Sequence, residues 1–164
     1  MEDQRRAMVS RQLIGRGIRC PRVLAAIGRV PREEFLDSQS RCSAYADRAL
    51  PIKCEQTISQ PYMVALMTES LALVGCETVL EIGTGCGYQT AVLLEMGVEV
   101  ISLERHRVLA RCARENLLRL GYDRWVIHVA DGKQGWPDAA PFDRVLLAAA
   151  TENWPGPVWQ QLKE

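Results

Sequence analysis

Three glycines, Gly83, Gly85 and Gly87, alternate with other residues in the stretch VLEIGTGCGYQTA. They follow a short apolar run and open a helical pattern, where glycine permits a tight turn and lets a ligand approach the backbone. The spacing departs from the dinucleotide fingerprint, because Tyr88 stands where that motif has its last glycine. A carboxylate at Glu81 would also repel a pyrophosphate. The loop therefore indicates a ligand with positive charge and no phosphate, and it disfavours an NAD-dependent oxidoreductase.

Acidic residues end three successive apolar runs, at Glu81, Glu104 and Asp131. Each alone could be a surface residue or a helix cap, but parallel strands end at one edge of a sheet, where ligands bind. Glu104 lies 17 residues after Gly87, close to the position of a ribose-binding carboxylate. We therefore predict a nucleoside site for S-adenosylmethionine, which has a sulfonium and an ammonium group. Glu81 would face the methionine part, Glu104 the ribose and Asp131 the adenine.

A sheet is needed to bring these residues together, and the hydrophobic pattern predicts one. Strands are predicted over 77–83, 98–104, 124–131 and 142–150, and helices over 61–73, 88–97, 105–121 and from 157 onward. This alternation predicts an α/β fold with a doubly wound, Rossmann-like parallel sheet. The inward face of the helix over 105–121 is predicted to consist of Val108, Leu109, Cys112, Leu117 and Leu120.

The first 48 residues have a different pattern, with short helical stretches broken at glycines and prolines. They contain ten arginines and six acidic residues. A solvated helical face is the favoured interpretation, and a surface for an acidic substrate is the alternative. We predict a single domain over 1–164, with a helical cap and substrate loop over 1–56 and the cofactor-binding core over 57–164.

Composition excludes several classes of function. The 164 residues include 20 basic and 20 acidic side chains, so the chain has no overall positive charge for binding nucleic acid. The six cysteines form no CxxC pair and there are two histidines, so no metal site is predicted. The sequence also has no signal peptide and no membrane-spanning run. We expect reduced thiols and a cytoplasmic location.

Four stretches resemble one known family in their order and spacing: QTISQPYMVALMTE, VLEIGTGCGYQTA, DGKQGWP and APFDRVLLAAA. The chain is similar to bacterial protein-L-isoaspartate O-methyltransferases, and VPREEFLD and DRALPI also fit this family. The TISQPYM stretch is the specific part, because many methyltransferases share the glycine motif. The resemblance implies methyl transfer from S-adenosylmethionine to the free α-carboxyl of L-isoaspartyl residues in damaged proteins, by a monomer that repairs them.

The resemblance also implies roles for individual residues. Thr57 and Ser59 would be catalytic, with Ser59 nearest to the reaction, and Tyr62 holds the position of a histidine in some relatives. The residues assigned to cofactor binding are Ile58, Gln60, Glu81, Gly83, Thr84, Gly85, Gly87, Glu104, Arg105, Asp131 and Gly132. A carboxylate substrate has a pKa near ~4 and is ionised at neutral pH, so no general base is expected.

The chain departs from the family pattern in four places, one of which is the stretch TENWP over 151–155 that follows LLAAA. Lys53 and Glu55 replace two glycines of an IGxGQTIS stretch, and Ala130 replaces the first glycine of GDG. The family continues beyond Glu164 into further strands, so the sheet is expected to be truncated and to lack its C-terminal strands. These departures leave two alternatives open: a relative that only binds S-adenosylmethionine, and a methyltransferase for another small acceptor.

Overall fold

The computed structural model describes residues 1–150 and 155–163. Its main sheet has four parallel strands in the order β5-β4-β3-β6. The strands are β3 (Thr78–Ile82), β4 (Glu99–Glu104), β5 (Trp125–Val129) and β6 (Arg144–Leu147). The chain adds β4 and β5 on one side of β3 and then returns to place β6 on the other side. The predicted doubly wound parallel sheet is confirmed, and the reversal beside β3 creates the crevice in which such sheets bind ligands.

Six α-helices accompany the strands in the described part of the chain. They are α1 (Glu2–Met8), α2 (Pro21–Arg29), α3 (Pro61–Ser70), α4 (Tyr88–Glu95), α5 (Arg107–Arg119) and α6 (Gly156–Trp159). Helices α3, α4 and α5 form where the sequence predicts them, with boundaries a few residues shorter. Proline opens α2 and α3, where its missing N–H leaves no intrahelical hydrogen bond unmade.

The two faces of the main sheet carry cores of unequal size. The larger core combines residues of β3 to β6 with α4, α5 and the N-terminal helices, and the smaller core contains Leu80, Leu103, Phe142 and Val158. The predicted inward face of α5 is partly wrong, because Val108 is 42% exposed. Ala110 and Ala113 are buried instead, and at Ala113 the close approach of Gly87 leaves room only for a small side chain.

The first 48 residues form the predicted helical cap. After α1 the chain continues as a π-helical turn (Val9–Leu13) and a 3-10 turn (Ile14–Arg16). Met8, Leu13 and Ile27 are buried in the same hydrophobic core as β3 and α4, so the cap packs directly on the sheet domain. None of the helices among the described residues has the length and apolar character needed to cross a membrane.

Two elements differ from the sequence-based expectation. A short antiparallel hairpin of β1 (Leu50–Pro51) and β2 (Thr57–Ile58) stands where only a loop was expected. The helix predicted from 157 ends at Trp159, because Leu162 then forms a parallel bridge with Phe142. That bridge satisfies backbone groups that a longer helix would have used within itself. Glu164 lies outside the described residues.

Candidate functional site

The glycine loop joins β3 to α4 at the point where the sheet reverses. Gly83, Gly85 and Gly87 have φ angles of +97°, +58° and +91°, a region that other residues enter only with strain. A Cβ on Gly83 would lie 3.1 Å from the backbone nitrogen of Ala149, and one on Gly87 would lie 3.2 Å from the Cβ of Ala113. The loop is therefore packed tightly between the end of β6 and α5.

Glu104 ends β4 directly beside this loop, and both of its carboxylate oxygens are held by backbone donors. Its Oε2 accepts from the N–H of Gly85 at 2.9 Å, and its Oε1 accepts from the N–H of His106 at 2.8 Å. A carboxylate has about four acceptor positions, so it can still accept hydrogen bonds from a ligand. This geometry suits the predicted ribose contact.

Glu81 occupies a different environment, although it also ends a strand beside the loop. The side chain is fully buried, and its Oε2 accepts from the hydroxyls of Thr90 at 2.6 Å and Ser102 at 2.7 Å. Ser102 also contacts the Thr84 hydroxyl at 2.5 Å. Burial raises the pKa of Glu81 to about 7, although the two hydroxyl donors oppose the shift. The carboxyl therefore lies beneath the loop and links its neighbours, rather than opening into the crevice.

The end of β5 completes this edge of the sheet. Asp131 is exposed, and its Oδ1 accepts from the N–H of Lys133 at 3.1 Å, which caps a 3-10 turn. A Cβ on Gly132 would lie only 2.2 Å from the Cγ2 of Ile82, so this position leaves no space for a side chain. Arg105, next to Glu104, is exposed. The structure thus brings Gly132 against the end of β3, with Asp131 and Arg105 exposed at the surface.

The hairpin of β1 and β2 carries the TIS stretch. At its tip, the N–H of Gln56 donates to the carbonyl of Lys53 at 3.3 Å, and Cys54 and Glu55 have φ angles of +60° and +56°. Positive φ at both central residues defines a type I′ turn, in which Asn-Gly is the usual pair. Glu55 therefore adopts the glycine-like conformation at one of the two positions where the family pattern has glycine. Lys53 does not.

The hairpin lies over the glycine loop. The Cδ1 of Ile52 is 3.6 Å from the position of a Cβ on Gly85, and the Lys53 ammonium is 3.4 Å from the sulfur of Cys112 on α5. These contacts bring the TIS stretch and the predicted cofactor residues to one region. Ile52 was not predicted to have a role, although it opens the IGxG-like segment of the family pattern.

Thr57, Ile58 and Ser59 differ in exposure. Ile58 is buried, Thr57 is exposed and Ser59 is half-buried. Within residues 1–150 and 155–163, the hydroxyls of Thr57 and Ser59 form no hydrogen bond with the protein. Both are therefore available to a ligand, and neither caps α3.

Gln60 has a protein partner that sequence reasoning did not identify. Its Nε2 donates to Asp47, at 2.7 Å to the Oδ1 and 3.2 Å to the main-chain oxygen. The Oδ2 of Asp47 accepts from Arg16 at 2.9 Å, and the Arg16 guanidinium lies 3.6 Å from the centre of the Tyr62 ring. The DRALPI stretch, which begins at Asp47, was the available signal. In the described part of the chain no cluster of side chains suits a metal ion.

Comparison with known proteins gives one consistent family. A family model described as protein-L-isoaspartate(D-aspartate) O-methyltransferase matches residues 3–164. The chain is 52% identical over 163 residues to protein-L-isoaspartate O-methyltransferase 1 of Syntrophobacter fumaroxidans, covering 99% of this chain and 76% of that protein. It is 50% identical over 165 residues to the protein-L-isoaspartate O-methyltransferase of Methylorubrum populi, covering 100% of this chain and 77% of that protein.

Solved structures agree with this result. A protein-L-isoaspartate O-methyltransferase superimposes with a TM-score of 0.88 and 31% identity, over 98% of this chain and 52% of the other. A Plasmodium falciparum protein in complex with S-adenosyl-L-homocysteine gives a TM-score of 0.83 over 98% of this chain and 80% of the other, and its 23% identity supports the fold alone. The chain thus spans about three quarters of the curated relatives and about half of the first solved structure.

Proposed function

Because the chain belongs to the protein-L-isoaspartate(D-aspartate) O-methyltransferase family, we propose that it methylates the free α-carboxyl of L-isoaspartyl residues, using S-adenosylmethionine. Methylation of this carboxyl is the first step in repairing such damaged residues. The observation that carries the proposal is the seating of the TIS hairpin over the glycine loop, with Ile52 against Gly85. This contact supports a position for the free hydroxyls of Thr57 and Ser59 near the predicted cofactor residues.

The crevice suits the cofactor. Glu104 is a carboxylate already oriented by two backbone N–H groups, and it would accept hydrogen bonds from the ribose hydroxyls. Asp131 and Arg105 are exposed next to it and would contact the adenine side. The three glycines of the loop, Gly83, Gly85 and Gly87, would let the ligand approach the backbone. Contacts of the ligand with Thr84 and Gly132 would involve their main-chain atoms only. Ile58 and the free Oε1 of Gln60 would border the ligand from the hairpin.

The buried Glu81 would support this site from below. Its hydrogen bonds join α4 and β4 under the glycine loop, so it would act on the ligand through the shape of the loop. This role replaces the direct contact with the methionine part that the strand-end pattern suggested.

Methyl transfer to a carboxylate requires the protein mainly to orient the reacting groups. When bound, S-adenosylmethionine supplies a methyl group on a sulfonium centre, with a neutral thioether as leaving group. The substrate carboxylate is ionised at neutral pH, so the protein need not remove a proton. Ser59 and Thr57 would donate hydrogen bonds that hold the carboxylate in line with the methyl group. Orientation of this kind can contribute about 7–11 kcal/mol in the best cases.

Other parts of the proposal concern the whole molecule. The cap and the sheet share one core, which supports a single domain over 1–164, divided at about residue 56. All six cysteines are free, which supports a reducing compartment such as the cytoplasm. We also infer a monomer that needs no nucleic acid or membrane and takes isoaspartyl proteins and peptides as substrates.

A second candidate is a relative that binds the cofactor without transferring its methyl group. The hairpin tip favours it, because the exposed Glu55 would repel an incoming carboxylate.

The test is transfer of labelled methyl from S-adenosylmethionine to a peptide containing L-isoaspartate, with its normal aspartyl twin as the control substrate. Label on the isoaspartyl peptide alone is expected. Binding of S-adenosylhomocysteine without label on either peptide would contradict the proposal and favour the second candidate.

A further inference from the structure

A closed cluster of four side chains connects the N-terminal cap to the TIS stretch. We call Arg16, Asp47, Gln60 and Tyr62 the Asp47 cluster. Gln60 donates to Asp47 at 2.7 Å, Asp47 accepts from Arg16 at 2.9 Å, and Arg16 stacks on Tyr62 at 3.6 Å. Gln60 and Tyr62 are the neighbours of Pro61 in the sequence. The series of contacts therefore starts at residue 60 and returns to the chain at residue 62.

The position of the cluster matters because Ser59 directly precedes Gln60. Ser59 lies between the last residue of β2 and the first residue of α3, outside both elements. Pro61 is buried. The Ser59 side chain, which would face a substrate, belongs to the short connection before Pro61. Gln60 is the last residue of that connection, and its amide is held by both the carboxylate and the main-chain oxygen of Asp47. The cluster therefore holds the residue that directly follows Ser59.

Stability is a poor explanation for this arrangement. The side chains of Arg16 and Asp47 are 42% and 37% exposed, and exposed ion pairs contribute little to the free energy of unfolding. Arg16 and Asp47 nevertheless each contact two other members of the cluster, which restricts their orientation. A cluster that adds little stability but restricts one backbone segment suits the positioning of a reactive group, where a displacement of about 1 Å can cost about 100-fold in rate.

We propose that Asp47 and Arg16 are positioning residues for methyl transfer, acting through Gln60 and Tyr62 to hold Ser59 toward the substrate carboxylate. This inference rests on the proposed function. It assigns roles to two residues of the cap and its following loop, which touch neither the glycine loop nor the strand-end acids. It also accounts for the use of the two amide atoms of Gln60: the nitrogen donates to Asp47, which leaves the oxygen for a ligand.

The experiment is a double-mutant cycle of Asp47→Ala and Gln60→Ala, with kcat and KM measured on an isoaspartyl peptide. We expect Asp47→Ala to lower kcat about tenfold, while KM for the peptide and the Kd of S-adenosylhomocysteine change by less than about threefold. If Asp47 acts through Gln60, the double variant will be no slower than the slower single variant. Fold-changes that multiply would mean that the two residues act independently, and they would overturn the proposal.

Two further variants separate positioning from folding. Asp47→Asn keeps an acceptor for Gln60 and should recover much of the lost kcat, whereas Asp47→Ala does not. Asp3→Ala is the matched control, because Asp3 also forms an exposed ion pair in the cap, with Arg6 at 2.5 Å, but lies outside the cluster. It should leave kcat unchanged. A loss of kcat in Asp3→Ala equal to that in Asp47→Ala would overturn the proposal.

Hydrogen exchange provides a readout that does not depend on activity. In Asp47→Ala, the amide of Val64, which donates to the Gln60 carbonyl at 3.1 Å in the first turn of α3, should exchange about tenfold faster, while amides of the main sheet stay unchanged. If the wild-type chain transfers no methyl group, the proposed function fails, but exchange still tests the cluster. Unchanged exchange at the Val64 amide would overturn the positioning role in either case.

Discussion

The carboxylate of Glu104 accepts a hydrogen bond from the backbone N–H of Gly85 at 2.9 Å. The contact joins the end of β4 to the centre of the glycine loop. With the second bond from His106, it holds the carboxylate in one orientation before any ligand arrives. A group oriented in this way loses less freedom on binding, which increases the affinity obtained from each new contact.

Replacing Glu104 with glutamine should weaken cofactor binding. The amide cannot accept from both backbone N–H groups and still accept from two ribose hydroxyls, and hydrogen bonds to a charged group are each worth about 1.5–3 kcal/mol. Glu104→Gln should therefore raise the Kd of S-adenosylhomocysteine about 10- to 100-fold, measured by calorimetry. Ser59→Ala is the control: it should reduce methyl transfer and leave this Kd unchanged. A Kd unaffected by Glu104→Gln would refute the assigned ribose contact.

Glycine at position 55 should stabilise the hairpin. Glu55 has a φ of +56°, and relieving that strain is worth about 1 kcal/mol. Glu55→Gly should raise the melting temperature by about 2–4 °C. It should also raise kcat/KM for the isoaspartyl peptide, because a negative charge leaves the hairpin tip. Lys53→Gly is the matched variant: it removes the contact with Cys112 and relieves no strain, so its melting temperature should not rise. Equal increases in both variants would contradict this explanation.

A methyl group at position 132 should disturb both the core and the crevice. The Cβ of Gly132→Ala would overlap Ile82, and overpacking of this kind costs about 1–3 kcal/mol. We expect that loss in denaturant unfolding. Gly28→Ala provides the contrast, because Gly28 lies within α2 with no atom within 4 Å of its Cβ position. That variant should gain up to about 1 kcal/mol through helix propensity. A neutral Gly132→Ala would show that the 3-10 turn at Gly132 does not pack tightly against Ile82.

Stability should depend on pH through Glu81. Burial raises the pKa of this carboxyl from near 4.5 to about 7 in the folded protein. Below pH 4.5 the group is neutral in both states and its full contribution is present. Between pH 4.5 and 7 the unfolded chain ionises first, so stability falls by about 1.4 kcal/mol per pH unit, up to about 3 kcal/mol.

Glu81→Gln tests this effect, because the glutamine oxygen can still accept from Thr90 and Ser102. The free energy of unfolding of the variant relative to wild type should improve by about 3 kcal/mol between pH 4 and pH 8, measured in urea. A constant difference across this range would mean that Glu81 has an ordinary pKa in the folded protein.

The elements of the main sheet were predictable because their signals are local. The mostly apolar run over 77–83 predicted a buried strand, and the glycines that follow allow the positive φ angles of the loop. The alternation of strands and helices then permits few topologies other than a doubly wound sheet. The TISQPYM stretch indicated the family by residue identity alone.

Local signals were insufficient where distant segments meet. Glu81 and Glu104 lie at the ends of neighbouring strands and look equivalent in sequence, but their carboxylates have different partners. The hydroxyls of Thr90 and Ser102 bind Glu81. Backbone N–H groups of Gly85 and His106 bind Glu104. The same limit applies to the buried face of α5. Helical periodicity predicted that Val108 would be buried, but the glycine loop approaches α5 at Ala113, which is buried while Val108 is exposed.

The sequence by itself determined the family and the parallel sheet, and it placed the predicted site residues at one edge of that sheet, since each depends on residue identity or on spacing along the chain. Only the tertiary structure decided that the hairpin closes over Gly85 and that Asp47 joins Arg16 to Gln60. Those contacts link residues 13 to 33 positions apart, and the packing of the cap against the sheet determines which of them form.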